Sequence, residues 1–458
     1  MDQWEKLLCD MRDFRASGVL YSAEARIRAL RRLKSAILAH EEAILSALKA
    51  DFGKCGFDTY ITEVLMVLEE IDDAARHLKG WMKPKRAFAG ITNFPSRGRV
   101  YCEPFGTALI ISPWNYPFML ALSPLVGAVA AGNCAVLKPS SQTPQTGEII
   151  SKIVNEALEP RHVYVAGGGH EVSDRLLELP FDFIFFTGSP SVGKRVMRKA
   201  AEHLIPIVLE LGGKSPCIVD ATADLKAAAR RIVWGKFVNA GQTCIAPDYL
   251  LVERSVMEPL LAEMEGYVRA FYYADGRLSE DFPSIISARH FERLSSLLQD
   301  GMLRTGGDTD PAARRIGPAI LTDVREESPL VTEEIFGPLL PVFPFDTLDE
   351  AIRQVNARPK PLALYFFSTD RAAVRRVLAS TSSGGGCIND TIMHVSSHNL
   401  PFGGVGNSGM GKYHGKDSFL TFSNRRAILH KAARLEMKLK YPPHGEGKLA
   451  TLKRLMGR

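Results

Sequence analysis

The stretch FGTALIISPWNYPFMLALSPLVGAVAAGNCAVL, Phe105 to Leu137, decides how the rest of the chain is read. It holds no Asp, Glu, Lys or Arg, so by hydropathy alone it imitates a membrane span. A span needs about 20 residues of helix with every backbone N–H and C=O satisfied. Pro113, Pro117 and Pro124 punctuate the stretch, and Gly132-Asn133 adds a turn signal. The pattern instead predicts a buried strand at TALIIS, a loop at PWNYP, a core helix and a second buried strand at CAVLKP. Two strands joined by a helix are parallel, with a right-handed crossover.

Outward from this unit the alternation continues. The apolar runs TALIIS, CAVLKP, VYVA and DFIFFTG are separated by helix-length segments. They predict a parallel, helix-covered sheet whose ligands bind beyond the strand C-termini. A second α/β series starts near IPIVLELGGKSPCIV and runs through YLLVER, PAILTDV, LPVFPF and LALYFFS. The first 80 residues show apolar positions at helical spacing in EARIRALRRLKSAILAHEEAILSALKADF and YITEVLMVLEEIDDAARHLKGW. The basic stretch from Trp81 to Gly98 is a connector.

A chain of 458 residues accommodates two or three domains, and 46% hydrophobic with 24% charged residues is an ordinary globular composition. Seven cysteines are scattered singly, with no CxxC pair and no Cys/His cluster. That argues against a disulfide framework and against a structural zinc, so no metal is expected. The segment MDQWEKLLCDMRDFRA is charged throughout and is no secretory signal; a reducing cytoplasm is the expected address. The net charge of +6 is local: from Arg425 onward ten Lys or Arg face two Glu, leaving the remainder at about −2. No basic stripe with base-reading residues appears, so nucleic acid is not an expected partner. GKLATLKRLMGR reads as a solvated basic segment, with weak contact to an anionic membrane surface as the alternative.

Two stretches imitate phosphate loops. GSPSVGKR, Gly188 to Arg195, fits G-x-x-x-x-G-K after an apolar strand, but Arg195 stands where a Ser or Thr would ligate magnesium. What remains is a phosphate-facing turn at a helix N-terminus. GVGNSG, Gly404 to Gly409, has no predicted strand before it and no βαβ unit after it, and reads as a flexible loop at a site rim.

KFVNAGQTCIAPDYLL, Lys236 to Leu251, places Cys244 in a turn between a helix and a strand. A lone cysteine is usually a packing residue. A thiol of ordinary pKa is only a few per cent thiolate at neutral pH, so a nucleophile needs help. VLELGGKSP puts Glu210 in an apolar strand, where burial raises a carboxyl pKa and suits a base that takes a proton from water. SPWNYP puts Asn115, a neutral donor, in a loop at a strand end, where it can face an oxyanion. Taken singly, each has a structural alternative: a strand-end Glu paired to Lys, and an Asn closing a turn.

Together the stretches PWNYP, AAGNCAVLKPS, FTGSPSVGK, LELGGKSPCIV, GQTCIAPDYL, EEIFGPLLPV and LPFGGVGNSGMGKYHGKDSF resemble the aldehyde dehydrogenase superfamily, from about Tyr21 to Pro443. APDYLLV and the ending YHGKDSFLTFSNRRA through YPP resemble its class 3 group, which includes dimeric and fatty-aldehyde enzymes. The resemblance implies an α/β fold: a Rossmann-like NAD(P)-binding domain (1–81 and 105–209), an α/β catalytic domain (210–395) and a small β oligomerisation arm (82–104 and 420–443) that builds a homodimer, followed by a basic tail (444–458). It implies NAD(P)-dependent oxidation of a medium-chain aliphatic or aromatic aldehyde to the acid. Cys244 would attack the carbonyl, and its own N–H with the Asn115 amide would hold the thiohemiacetal oxyanion. One such donor contributes roughly 3 kcal/mol. Hydride transfer to the nicotinamide would leave a thioester, which water activated by Glu210 would hydrolyse. Glu334 is a second candidate base and a candidate ligand of ribose hydroxyls.

For the cofactor, the resemblance places Lys138 at the adenosine ribose, Gly188, Ser189 and Gly193 by the pyrophosphate, Phe336 by the nicotinamide ribose, and Leu211 in the same site. Many relatives carry Glu two residues after the Pro of LKPSS, where this chain has Ser141. Without that carboxylate a 2′-phosphate meets no repulsion, so both NAD and NADP are expected. His414 either lines the site or is a structural imidazole. Some fatty-aldehyde members carry a hydrophobic C-terminal anchor; EGKLATLKRLMGR is short and basic, so no transmembrane segment is expected. A cofactor-independent Cys esterase or acyltransferase using the same thiol is the rival reading, and an idle nucleotide-binding protein a third.

Overall fold

A computed structural model describes residues 2–90, 93–435 and 438–457. Residues 91, 92, 436 and 437, inside the predicted arm, and Met1 and Arg458, at the outer limits of the predicted first domain and tail, lie outside the described residues.

The uncharged stretch forms a strand (Thr107–Ile111), a helix (Met119–Ala131) that is buried throughout, and a second strand (Cys134–Lys138) parallel to the first. These two strands sit within a six-stranded sheet in the order Gly409–Met410, Ile207–Leu211, Phe183–Gly188, Thr107–Ile111, Cys134–Lys138, Val163–Val165. Its strands are parallel except for the first, two-residue edge. Side chains alternate between the two faces, as the strand period requires. Ala108 and Ile110 join the core shared with the helices Ala23–Ala39 and Met119–Ala131, whereas Leu109 and Ile111 pack towards Gln3–Ala16 and Pro190–Glu202.

The second series forms a seven-stranded sheet in the order Met302–Thr305, Ala319–Thr322, Leu339–Phe345, Tyr249–Glu253, Pro216–Val219, Ala363–Phe367, Gly385–Ile388, with only the first edge antiparallel. Cys217, Val219, Leu250 and Val252 face the same core as the first sheet, while Ile218, Tyr249 and Leu251 face the helices Leu348–Asn356 and Arg371–Ser380. Lys85–Ala87, Ser96–Pro104 and Ser423–Lys431 form a separate antiparallel three-stranded sheet with few buried residues. No described helix is long and apolar enough to cross a membrane.

Two places differ from the sequence reading. YITEVLMVLEEIDDAARHLKGW is not one uniform α-helix: Tyr60–Val64 is a π turn leading into Leu65–Trp81. The wider turn directs Glu63 inward, fully buried, where its Oε1 pairs with the equally buried Lys54 at 2.6 Å. Its Oε2 accepts the N–H groups of Phe118 (2.8 Å) and Met119 (3.3 Å). The helix Met119–Ala131 has no side-chain cap of its own, so this distant carboxylate satisfies its first donors and complements the positive end of its dipole. The second difference is the Gly-rich loop after Gly404. It is pinned at its far end, because Gly409 pairs with Glu210 and Met410 with Leu209.

Removing one partner of a buried ion pair leaves an uncompensated charge and costs about 3–5 kcal/mol. Lys54→Met is expected to lose that much in urea unfolding, and a loss below about 1 kcal/mol would show that the pair is not what holds this junction.

Candidate active site

The two sheets meet at a cavity of about 770 Å³, lined chiefly by apolar side chains. The chain leaves the centre of the first sheet in opposite directions on either side of Thr107–Ile111 and Phe183–Gly188. Ligands of open α/β sheets bind outside such a switch point. Pro113, Trp114 and Asn115, just beyond the first of these strands, and Gly188 and Ser189, closing the second, line the cavity. So do Glu210, Leu211, Cys244, Glu334 and Phe336. The structure therefore brings eight of the sequence-predicted residues to one place. Lys138, Ser141 and Gly193 are not on its wall. Lys138 is buried, its Nζ donating to Pro139 O (2.8 Å) and Gly168 O (2.7 Å); Ser141 is exposed; Gly193 packs on Leu211, whose Cδ2 would lie 2.6 Å from any Cβ there. His414 is also outside the lining, buried against the Tyr413 ring (centroids 4.2 Å apart) and 3.6 Å from Glu70.

Cys244 is held by a turn that ordinary side chains resist. Asn239, Ala240 and Gly241 have φ of 56°, 53° and 70°, three left-handed residues in succession. At Gly241 a Cβ would stand 2.3 Å from Gly337 O, so that position admits only glycine. Polar contacts fix the residues on either side of the thiol. Gln242 O accepts Asn115 Nδ2 (3.0 Å) and Asn239 Nδ2 (3.2 Å). Asn239 Nδ2 also donates to Asn115 O (2.8 Å), and the Gln242 side chain bonds Ser284 O and the Ile286 N–H. Thr243 Oγ1 and Tyr116 OH lie 2.7 Å apart, and Tyr365 OH donates to Ile245 O (2.6 Å). Cys244 is thus clamped on both flanks. Lys54 Nζ sits 4.3 Å from the Tyr116 ring centroid, linking the π turn to this clamp. Asn115 spends one amide hydrogen on Gln242 O and keeps a second for the cavity.

The acids differ in their surroundings. Glu210 is buried in its strand with no hydrogen-bond partner on either carboxyl oxygen, and burial raises its pKa well above the carboxylate range against the pull of Lys412 and the Gly404 backbone. Glu334 lies on the turn at Gly212, where a Cβ would meet its Oε2 at 2.1 Å. Burial, and then Asp248, raise Glu334 to about 8, opposed by the Gly213 N–H, Lys214 and Arg293. Asp248 pairs with Lys214 and accepts the Ile335 N–H (2.9 Å), which anchors the EEIFG segment. Phe336 has a left-handed φ of 52° and its ring stands edge-on to Trp114, centroids 5.4 Å apart; His290 Nε2 donates to its carbonyl (2.9 Å). Burial, then Glu334 and Glu210, push the Cys244 thiol up to about 12.

The donors present suit a dinucleotide. The helix Pro190–Glu202 begins at Ser189, whose hydroxyl caps the Val192 N–H, so the positive end of its dipole faces the switch point. Thr187 Oγ1, on the same wall, is buried without a partner. Sequence reasoning missed the clamp residues Tyr116, Asn239 and Tyr365, and the π turn whose Ile61 and Thr62 form one end of the cavity. Their apolar or turn context matched ordinary core positions; only Asn239 and Gly241, residue types that tolerate left-handed backbone, hinted at the turn.

The sequence profile of the aldehyde dehydrogenase family matches residues 16–428. The 4,4'-diaponeurosporen-aldehyde dehydrogenase of Staphylococcus aureus is 46% identical over 93% of this chain and 93% of its own length. Aldehyde dehydrogenase family 3 member B1 of Rattus norvegicus is 44% identical over 99% of this chain and 97% of its own. A substrate-bound structure of Staphylococcus aureus AldH superposes with a TM-score of 0.96 at 44% identity, covering 100% of both chains.

A buried thiol near two acids, with no cation among the described residues acting on it, is protonated at neutral pH. Alkylation of Cys244 by iodoacetamide, read as loss of activity, is expected to rise about tenfold per pH unit from pH 7 to 9. A plateau below pH 8 would contradict this environment.

Proposed function

This chain belongs to the aldehyde dehydrogenase family, and from that premise we propose that Cys244, Asn115 and Glu210 carry its chemistry. NAD(P)-dependent oxidation of an aldehyde to the carboxylic acid is the activity of the family and of this enzyme. The observation that carries the assignment is the convergence of thiol, amide, two acids and a phosphate-facing helix start on one cavity.

Cys244 Sγ gives its proton to solvent water and forms a C–S bond to the aldehyde carbon. The carbonyl oxygen becomes an oxyanion facing the free Asn115 N–H and the Cys244 backbone N–H. Bound NAD(P) supplies the acceptor for the hydride that leaves the tetrahedral carbon. The resulting thioester on Cys244 is attacked by water, whose proton Glu210 takes, and the acid departs as the C–S bond breaks. Glu210 is favoured as base because neither of its oxygens makes a full hydrogen bond, only the weaker pull of the Gly404 backbone reaching it, whereas Glu334 packs against the Gly212–Gly213 turn. Glu334 is the second candidate, and with Phe336 it serves the ribose and nicotinamide side. Gly188, Ser189 and Gly193 carry the pyrophosphate turn, backed by Leu211, and Lys138 the adenosine ribose.

The finer reading includes the substrate, a medium-chain aliphatic or aromatic aldehyde, supported by the apolar wall of Leu65, Met66, Met119, Leu120 and Trp234. It includes a division into the cofactor domain (1–81 and 105–209), the catalytic domain (210–395), the arm (82–104 and 420–443) and the tail (444–458). A homodimer built by the arm is supported by its sparsely buried sheet and by Phe88, 92% exposed. Seven free cysteines suit a reducing cytoplasm. Ser141, exposed and neutral, supports acceptance of NADP beside NAD.

One assay tests the reading: reduced-nicotinamide absorbance with an apolar aldehyde, for wild type and Cys244→Ala, with each cofactor. Turnover that requires both thiol and cofactor is expected, with kcat/KM for NAD and NADP within a hundredfold. Ester cleavage without aldehyde oxidation would favour the acyltransferase reading, and a larger NAD preference would remove the role given to Ser141.

A further inference from the structure

Lys412 lies in the Gly-rich loop GVGNSGMGKYHGK, two residues beyond Met410. That edge strand pairs with the strand of Glu210, so the loop runs alongside the base. The Lys412 ammonium donates to two backbone carbonyls, Gly384 O at 2.9 Å and Gly403 O. Gly403, at φ 153°, is the point where lysine and acid come together. A Cβ there would stand 2.7 Å from Glu210 Oε1 and 3.1 Å from Lys412 Cδ, so the lysine stem and the carboxyl oxygen flank the same glycine without a direct ion pair.

The other groups that sense Glu210 are Cys244, on the turn opposite, and Tyr413, beside Lys412; burial raises the pKa of both, so neither is charged at neutral pH. Thr187, its neighbour on the adjacent strand, is neutral. Among the described residues, Lys412 is the one charged side chain acting on Glu210, and Glu210 the one acid acting on Lys412. A base must be ionised before it can take a proton from water, yet burial drives a carboxylate towards its neutral form. A cation fixed at one distance by two carbonyls offsets that penalty.

We propose that Lys412 is a positioning residue whose tethered ammonium lowers the pH at which Glu210 ionises and so sets the pH range in which the thioester is hydrolysed. The proton moves from water to Glu210; Lys412 keeps its own throughout. The proposal rests on Glu210 being the base. It predicts that the charge matters, not merely the hydrogen bonds that hold the loop.

The test is rapid-quench decay of the acyl-enzyme, formed from aldehyde and cofactor, between pH 6 and 9.5. Wild type, Lys412→Arg, Lys412→Gln, Lys412→Met and Glu210→Gln are compared. In wild type the rate rises with pH as Glu210 ionises and then levels off. Removing the cation raises the Glu210 pKa, so in Lys412→Gln and Lys412→Met the rise moves about one pH unit upward, in line with an opposite charge at close range. On the rising limb that is about a tenfold loss at fixed pH, with the plateau and the burst amplitude unchanged. Lys412→Arg follows wild type. Lys412→Gln keeps a donor for the carbonyls, so a limb that stays at the wild-type position in Lys412→Gln, with Glu210→Gln slowed a hundredfold or more, overturns the proposal while sparing the base. Wild-type decay in Glu210→Gln overturns both.

Discussion

The carbonyl oxygen of Gln242 accepts an amide hydrogen from Asn115 and another from Asn239, and the site depends on that shared acceptor. Asn115 belongs to the loop beyond the first sheet, while Asn239 and Gln242 belong to the turn that feeds the second. The bond therefore fixes the distance between the thiol and its amide partner across the seam of the molecule. Each such bond contributes only about 1 kcal/mol net. Their value lies in what they forbid: the left-handed turn at Asn239–Gly241 has few alternatives once its side-chain and carbonyl groups are engaged. Strain of this kind persists only where surrounding structure over-determines it. Here Gly337 O crowds Gly241 from one side, and Tyr116 and Tyr365 hold the residues flanking the cysteine.

The same seam explains the electrostatics. Two carboxyl groups and a thiol share a mostly apolar cavity, and burial favours the neutral form of all three. The charges that do exist are set behind the wall. The Lys54–Glu63 pair caps the core helix and supports Tyr116, Lys214–Asp248 anchors the segment of Glu334, and Lys412 stands behind Glu210.

Much of this was legible in the chain. The uncharged stretch from Phe105 resolves into strand, helix and strand because its prolines rule out a span, and the alternation around it gives two α/β sheets. Cys244, Asn115 and Glu210 were identifiable as candidates only in company: taken singly each has an ordinary structural reading, and their occurrence together in motifs that resemble one family singled them out. Their proximity was not legible, since Asn115 and Cys244 are far apart in sequence and meet only when two sheets close on each other. Glu63 reads as an ordinary helical residue, and only a π turn makes it a cap for a helix that begins 56 residues later. Lys412 reads as loop charge, because nothing in a Gly-rich run tells which strand it will lie against. Lys138 and Ser141 were placed by family resemblance, and neither reaches the cavity wall.

The central claim is that Cys244 carries the substrate covalently and that Glu210 releases it. Peptide mass spectrometry of Glu210→Gln, quenched after mixing with an aldehyde and cofactor, tests both halves at once. An acyl group on the Cys244 peptide in near-stoichiometric amount is the expected result. No adduct, or an adduct on another of the seven cysteines, would contradict it.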